Sequence, residues 1–190
     1  MVNVLKIKDY QLKKWIKMYP NTNPLFFRYG KAQDLEKTLE MYKFQYITRY
    51  GQFIYHFDVE MVNNLVREQK LPLEKIQLDD LALDLSTKLI KSKLDDKRFP
   101  IFLRFYGLDK PYICLDGNKR IQARATLNNE NVFKGFVIYP TEVINSIFFT
   151  EVELLFFVFN FECVNLIYGL QDGWTEKELW EFTQAYLKDS

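Results

Sequence analysis

Residues 99–139 read FPIFLRFYGLDKPYICLDGNKRIQARATLNNENVFKGFVIY, and their order decides the fold. Phe99–Tyr106 and Pro111–Leu115 are short runs of aromatic and branched side chains, the types that fill a pleated, half-buried surface. Between them Gly107-Leu108-Asp109-Lys110 reads as a turn, because Gly accepts positive φ and Asp bonds its own backbone. Asp116-Gly117-Asn118 breaks the second run. Lys119–Asn128 then places Ile121, Ala125 and Leu127 on a helix, Asn128-Asn129 ends it, and Val132–Tyr139 is a third strand stopped by Pro140. A hairpin, a helix and a returning strand predict a small mixed sheet with helices packed on it, an α+β fold.

Working outward, Lys75–Leu78 is a further short strand and Leu81–Leu94 an amphipathic helix. The first seventy residues read as mostly helical. Asp9–Met18 sets Tyr10, Leu12, Trp15, Ile16 and Met18 against Lys13, Lys14 and Lys17. Gln33–Tyr50 spaces Leu35, Leu39, Tyr42 and Tyr46 by three and four. Asp58 is an N-cap for a helix through Gln69 that carries Met61, Val62, Leu65 and Val66 on its apolar side. Toward the C-terminus, Glu142–Phe149, Glu151–Tyr168 and Thr175–Leu187 read as helices, the last opened by a Thr175–Glu178 capping box. The expected organisation is a helical extension over 1–72, a core over 73–140 and an acidic helical extension over 141–190.

Composition narrows the function. The chain has 190 residues, 48% apolar and 27% charged, which suits a globular domain with a real core. No run of eighteen uncharged apolar residues occurs, so no conventional membrane-spanning helix and no membrane partner is expected. MVNVLKIKDYQLKKW has no apolar h-region, and cytoplasm is the expected location. Cys114 and Cys163 stand far apart without companion ligands, which argues against a disulfide framework and a zinc site. His56, the single histidine, sits among aromatic residues in QFIYHFD and reads as structural. The net charge of +1 conceals an asymmetry: residues 151–190 carry eight acids and two bases, so the preceding 150 are net basic. Either two surfaces meet different partners, or solvated helix faces dock against the body.

The segment with chemical content is Asp116-Gly117-Asn118-Lys119-Arg120-Ile121-Gln122-Ala123. A strand ends, Gly permits a tight turn, and a helix starts with free amides pointing outward. Those amides and the helix dipole favour an anion, and Lys119 and Arg120 add two cations there. Arg120 forks two hydrogen bonds to a phosphate or carboxylate and is the expected main contact, with Lys119 as a supporting charge and Asn118 as a hydrogen-bonding neighbour. Asp116 either caps the helix, holds the arginine, or binds a metal that accompanies a phosphate. The plain alternative is a capped turn with two solvated bases.

The order strand, helix, Pro-Ile strand, hairpin, strand ending in DGNKRIQA, helix, strand resembles the ParB/sulfiredoxin-like superfamily. The likeness is to its ParB-like nuclease-domain branch with an Asp-Gly-x-His/Lys-Arg signature, and it covers Leu73–Tyr139, about a third of the chain. It implies a ParB/sulfiredoxin-like core in which Gly117, Asn118, Lys119 and Arg120 hold nucleotide phosphates, with Mg²⁺ accompanying the nucleotide. Sulfiredoxins carry a reactive Cys inside the turn, where this chain has Asn118. DNA-partitioning members use a later Asn-x-x-Arg element, whereas residues 151–170 hold Asn160 and Asn165 but no Arg. In a kinase branch a carboxylate near the first strand is the base for phosphoryl transfer, and Asp79 and Asp80 occupy that neighbourhood; the alternative is that they cap a helix beginning near Leu81. Asp79 and Asp116 are thus the candidate catalytic residues.

Three functions follow as expectations. The first is binding of a nucleotide or other phosphate-bearing small molecule at the turn, extending to NTPase or kinase activity. The second is a non-enzymatic module of phage or mobile-element type that binds a protein partner through an apolar patch. The third, less favoured, is a DNA-binding or DNA-cleaving protein, permitted by the basic body and the Lys6–Lys17 segment.

Overall fold

The computed structural model describes residues 40–48, 51–83, 88–140 and 147–182. The expected helix Asp9–Met18, most of Glu142–Phe149 and the end of Thr175–Leu187 lie outside them. In chain order the elements are β1 (Met41–Thr48), β2 (Gly51–Asp58), α1 (Val59–Gln69), β3 (Leu73–Gln77), β4 (Ile101–Arg104), β5 (Tyr112–Asp116), α2 (Asn118–Asn128), β6 (Val132–Ile138), α3 (Glu151–Gln171) and α4 (Glu176–Phe182). Short 3₁₀ turns occupy Leu78–Asp80 and Lys91–Leu94. The expected α+β class, a small mixed sheet with helices packed on it, is what is found.

The central sheet runs β3-β6-β4-β5. β3 is antiparallel to β6, β6 parallel to β4, and β4 antiparallel to β5. Just past β3, Leu81 bridges Tyr112 and the Ala82 amide donates to the Tyr112 carbonyl at 2.8 Å, so the chain leaving one edge strand reaches the other. Side chains alternate across this sheet as period two demands. Ile101, Leu103, Ile113, Leu115 and Ile138 join one apolar cluster with β2, α1 and α3. Phe102, Cys114, Phe133 and Val137 join another with Ile121 of α2. Gly135 lets this second face close: a Cβ there would stand 2.5 Å from the Phe102 ring and 2.6 Å from the Pro100 carbonyl.

Two expected helices are corrected. Over Met41–Thr48 the chain is a strand paired along its length with Gly51–Asp58, so the first 72 residues are not uniformly helical. Tyr42, Phe44 and Tyr46 are half-buried while Lys43 and Gln45 are exposed, a period of two that the longer spacing from Leu35 obscured. Their rings pack on Phe57 and Phe105, a surface that suits aromatic residues in strands. Over Leu81–Leu94 the described residues form no α-helix; Leu81 is buried against the β5 edge instead. α1 follows expectation, with the Asp58 carboxylate accepting from the Met61 amide at 3.1 Å and Val62, Leu65 and Val66 buried.

α3 spans Glu151–Gln171, and its Val152–Gln171 stretch is long and apolar enough to cross a membrane by length and composition alone. The expectation that no segment has that capacity was too strong. A soluble core helix passes the same test, and the two acids within Val152–Gln171, Glu153 and Glu162, are buried. Glu153 completes a capping box with Thr150 and accepts the His56 amide at 2.9 Å, with His56 Nδ1 2.6 Å from the same oxygen. The helix is thereby fastened to β2 through His56.

Candidate functional site

β5 ends at Asp116, and Gly117 turns the chain at φ 108°. A Cβ on Gly117 would lie 2.9 Å from Pro100 Cβ and from Arg120 Nη2, so both the backbone conformation and the space require glycine. α2 then starts at Asn118 with no side-chain cap. The Arg120 amide bonds the Gly117 carbonyl at 2.9 Å, which leaves the amides of Asn118 and Lys119 at the positive end of the helix. These residues line a hollow of about 340 Å³ together with Lys93 and Arg98, Glu40 and Tyr42, and Val59 and Asn63 of α1. Lys119 is exposed and makes no ion pair among the described residues.

Arg120 is a correction. Its side chain is only 4% exposed; Nη2 donates to Asp116 Oδ2 at 3.1 Å, and Nη1 lies 3.5 Å from Asp96 Oδ2. A guanidinium taken out of water needs such neutralisation, which removes it as the main contact for an incoming anion. Asp116 therefore holds the arginine, one of the three roles open to it. Arg120 Nε is the only buried side-chain nitrogen or oxygen without a hydrogen-bond partner among the described residues, and Arg120 lines the hollow.

Asp96 and its neighbours are what the sequence reading missed. Arg98 grips Asp96 through Nη2 at 2.7 Å, Nε at 3.0 Å and its amide at 3.1 Å. Those Arg98 hydrogen bonds, with the Arg120 charge behind them, hold the Asp96 carboxyl well below the usual carboxylate range. Arg124 Nη2 donates to the Asp96 carbonyl at 2.9 Å, so the segment before β4 is tied across the start of α2. It delivers Lys93, Asp96 and Arg98 to the turn. The available signal was the charge run Lys93-Leu94-Asp95-Asp96-Lys97-Arg98 directly before an apolar strand; residues 95–98 of that run fall between the expected helix Leu81–Leu94 and the expected strand from Phe99.

The other expected residues separate. The Asn118 side chain turns back, its Nδ2 donating to the Cys114 carbonyl at 2.6 Å, so it organises the turn from behind. Asp79 is exposed in the 3₁₀ turn after β3 and does not line the hollow. That turn leads to Leu81 opposite Tyr112 at the start of β5, whereas Asp116 lies four residues along the strand, about 13 Å at 3.3 Å per residue. The two candidate catalytic carboxylates are thus not brought together, and no helix begins at Leu81 for Asp79 or Asp80 to cap. Cys114 is fully buried, and burial pushes its thiol far up, away from thiolate chemistry. Asn160 and Asn165 hold helix and loop backbone: Asn160 donates to the Tyr106 carbonyl and Asn165 to that of Phe161.

The carboxylates at the turn do not fit a metal held by the protein alone. Asp96 and Asp116 already neutralise guanidinium groups, and no cluster of three metal-ligating side chains occurs among the described residues. No family model, curated protein or solved structure matches this chain. The likeness to the ParB/sulfiredoxin-like superfamily therefore rests on the turn motif and its flanking order.

Proposed function

We propose that the protein binds a phosphate-bearing small molecule at Gly117–Lys119, with nucleotides the class that the resemblance favours. The observation that carries this reading is an uncapped helix start opening into a hollow flanked by Lys119, Lys93 and Arg98. The Asn118 and Lys119 amides and the Lys119 ammonium supply the contacts to the anion. The Asp96–Arg120–Asp116 cluster, with its guanidinium buried between two half-buried acids, supplies shape, fixing the backbone that presents those amides. Asp79 stands apart, and Asp116, which lines the hollow, is engaged by Arg120, so neither is a free base there, and the proposal is binding without turnover.

Titration with inorganic phosphate and with adenosine monophosphate, followed by amide shifts of Asn118 and Lys119, tests this. Saturable shifts centred on those two amides are expected, weaker by about tenfold in Lys119→Ala, the size of one charge-assisted hydrogen bond. No shifts at millimolar ligand, or shifts only elsewhere, would refute it.

A specific observation favours the protein-partner reading as a second function. Phe156, Ile167 and Leu170 of α3 are 40–47% exposed and fall on one helix stripe. Self-association or partner capture that Ile167→Glu abolishes would support it; a strictly monomeric chain unaffected by that change would not.

A further inference from the structure

Beside the turn lies a second hollow, of about 380 Å³. Val66, Phe99, Ile101 and Phe136 give it apolar walls, and Arg67, Lys70 and Arg98 rim it. Asn63, Arg98 and Asp116 line both hollows, so the two are contiguous. One face of α1 lines both: Val59 and Asn63 in the first, and Asn63, Val66, Arg67 and Lys70 in the second, at spacings of three and four. That helix lies outside Leu73–Tyr139, so this wall owes nothing to the segment that carries the family likeness.

Phe99 is the informative residue. The residue is 44% exposed, yet its ring packs edge-on to Phe136, with centroids 6.1 Å apart and planes at 86°, so it is positioned without being fully covered. Phosphate oxygens gain nothing from apolar walls, whereas a flat ring gains by leaving water and stacking. The cations at the rim match a ligand that is anionic as a whole: Arg67 and Lys70 make no ion pair among the described residues, and Arg67 instead donates to Asn64. Each hollow has the size of a small-molecule subsite.

We infer that the second hollow takes the aromatic part of the ligand, so that the substrate class is an aromatic phosphate monoester, its phosphate on Asn118–Lys119 and its ring on Phe99. This rests on the phosphate reading of the turn, and the test separates the two. Calorimetric titration of the full chain at low salt uses four probes: inorganic phosphate, ribose 5-phosphate, phenyl phosphate and adenosine monophosphate. At least one of the two aromatic esters should bind at least about fivefold tighter than ribose 5-phosphate, the low end of one base–aromatic stack. Phe99→Leu, which keeps an apolar contact to Phe136, and Phe99→Ala should both erase that gain and leave inorganic phosphate affinity unchanged. A gain for adenosine monophosphate alone narrows the ring to a nucleobase; a gain for both esters shows that any flat ring serves. If inorganic phosphate binds but the rings add nothing, or their gain survives in both variants, the subsite is wrong and the turn reading stands. If no probe binds, both fall.

Discussion

Removing the guanidinium of Arg120 should damage the fold more than any single change at the turn. Arg120→Ala would leave Asp116 facing a space that held its counter-charge, 3.1 Å away, and would take from Asp96 its second cation, 3.5 Å away, while Arg98 stays. Breaking a buried ion pair from one side costs about 3–5 kcal/mol. Here the two acids are 19% and 17% exposed, so water screens part of what is left, and the lower end applies, about 3 kcal/mol. For a chain of 190 residues that corresponds to a melting temperature lower by roughly 6–12 °C. Urea unfolding of wild type, Arg120→Ala and Arg120→Lys measures it. The lysine variant should recover only part of the loss, because one ammonium cannot fork to both carboxylates. The acid limb gives a second readout. Asp96 is held below its ordinary range, so the unfolded chain takes up its proton first as pH falls. Its contribution is intact above about pH 4, the unfolded value, and is lost as pH drops further toward the folded value. In Arg120→Ala that limb flattens only in part, since Arg98 is the larger cause of the shift. An Arg120→Ala protein as stable as wild type would be incompatible with a structural guanidinium and would return Arg120 to the ligand.

Three further outcomes are expected. Gly117→Ala forces a left-handed backbone on a side chain and crowds Pro100, and should destabilise by about 1–3 kcal/mol in urea unfolding; a neutral result would mean that the turn is not built as described. Glu153→Ala removes the acceptor of the His56 and Thr150 amides and should cost about 2–4 kcal/mol, whereas Glu178→Ala, the same capping-box chemistry on the surface, should cost far less; equal losses would contradict a burial argument. Neither thiol should react quickly with iodoacetamide at pH 8 in the folded protein, because burial pushes Cys163 up to about 11 and Cys114 further, and rapid labelling of Cys114 in mass spectra would show that β5 is not buried.

What the sequence made legible was whatever local chemistry determines alone. The strands around residues 101–116 and 132–138, the Asp58 and Thr175 caps and the glycine turn at 117 each follow from a few adjacent residues. What it hid depended on tertiary competition. Residues 41–48 satisfy a helical spacing through Tyr42 and Tyr46 and a strand spacing through Tyr42, Phe44 and Tyr46. The pairing partner at Gly51–Asp58 and the ring of Phe105 decide between them, and neither is adjacent in a way that periodicity registers. Residues 81–83 failed for a related reason, since the vacant edge of β5 captures Leu81 and Ala82.

The site was misread on a different axis. The turn and its amides were legible, because a glycine between a strand and a helix is a local event. The role of Arg120 was not, because it depends on a carboxylate twenty-four residues earlier whose approach no spacing encodes. A basic residue at the third position of a helix tilts its side chain back over the turn before it, toward Asp116. Once Asp96 arrives from the loop, burial follows, and the exposed neighbour Lys119 is left as the cation that faces solvent. The pattern Asp-Gly-Asn-Lys-Arg therefore divides its two cations between an inward organiser and an outward contact. That division predicts opposite phenotypes: Lys119→Ala should lose phosphate affinity at unchanged stability, and Arg120→Ala should lose stability first. If the two variants exchanged these behaviours in parallel melts and phosphate titrations, the division would be wrong and the outward cation would be Arg120.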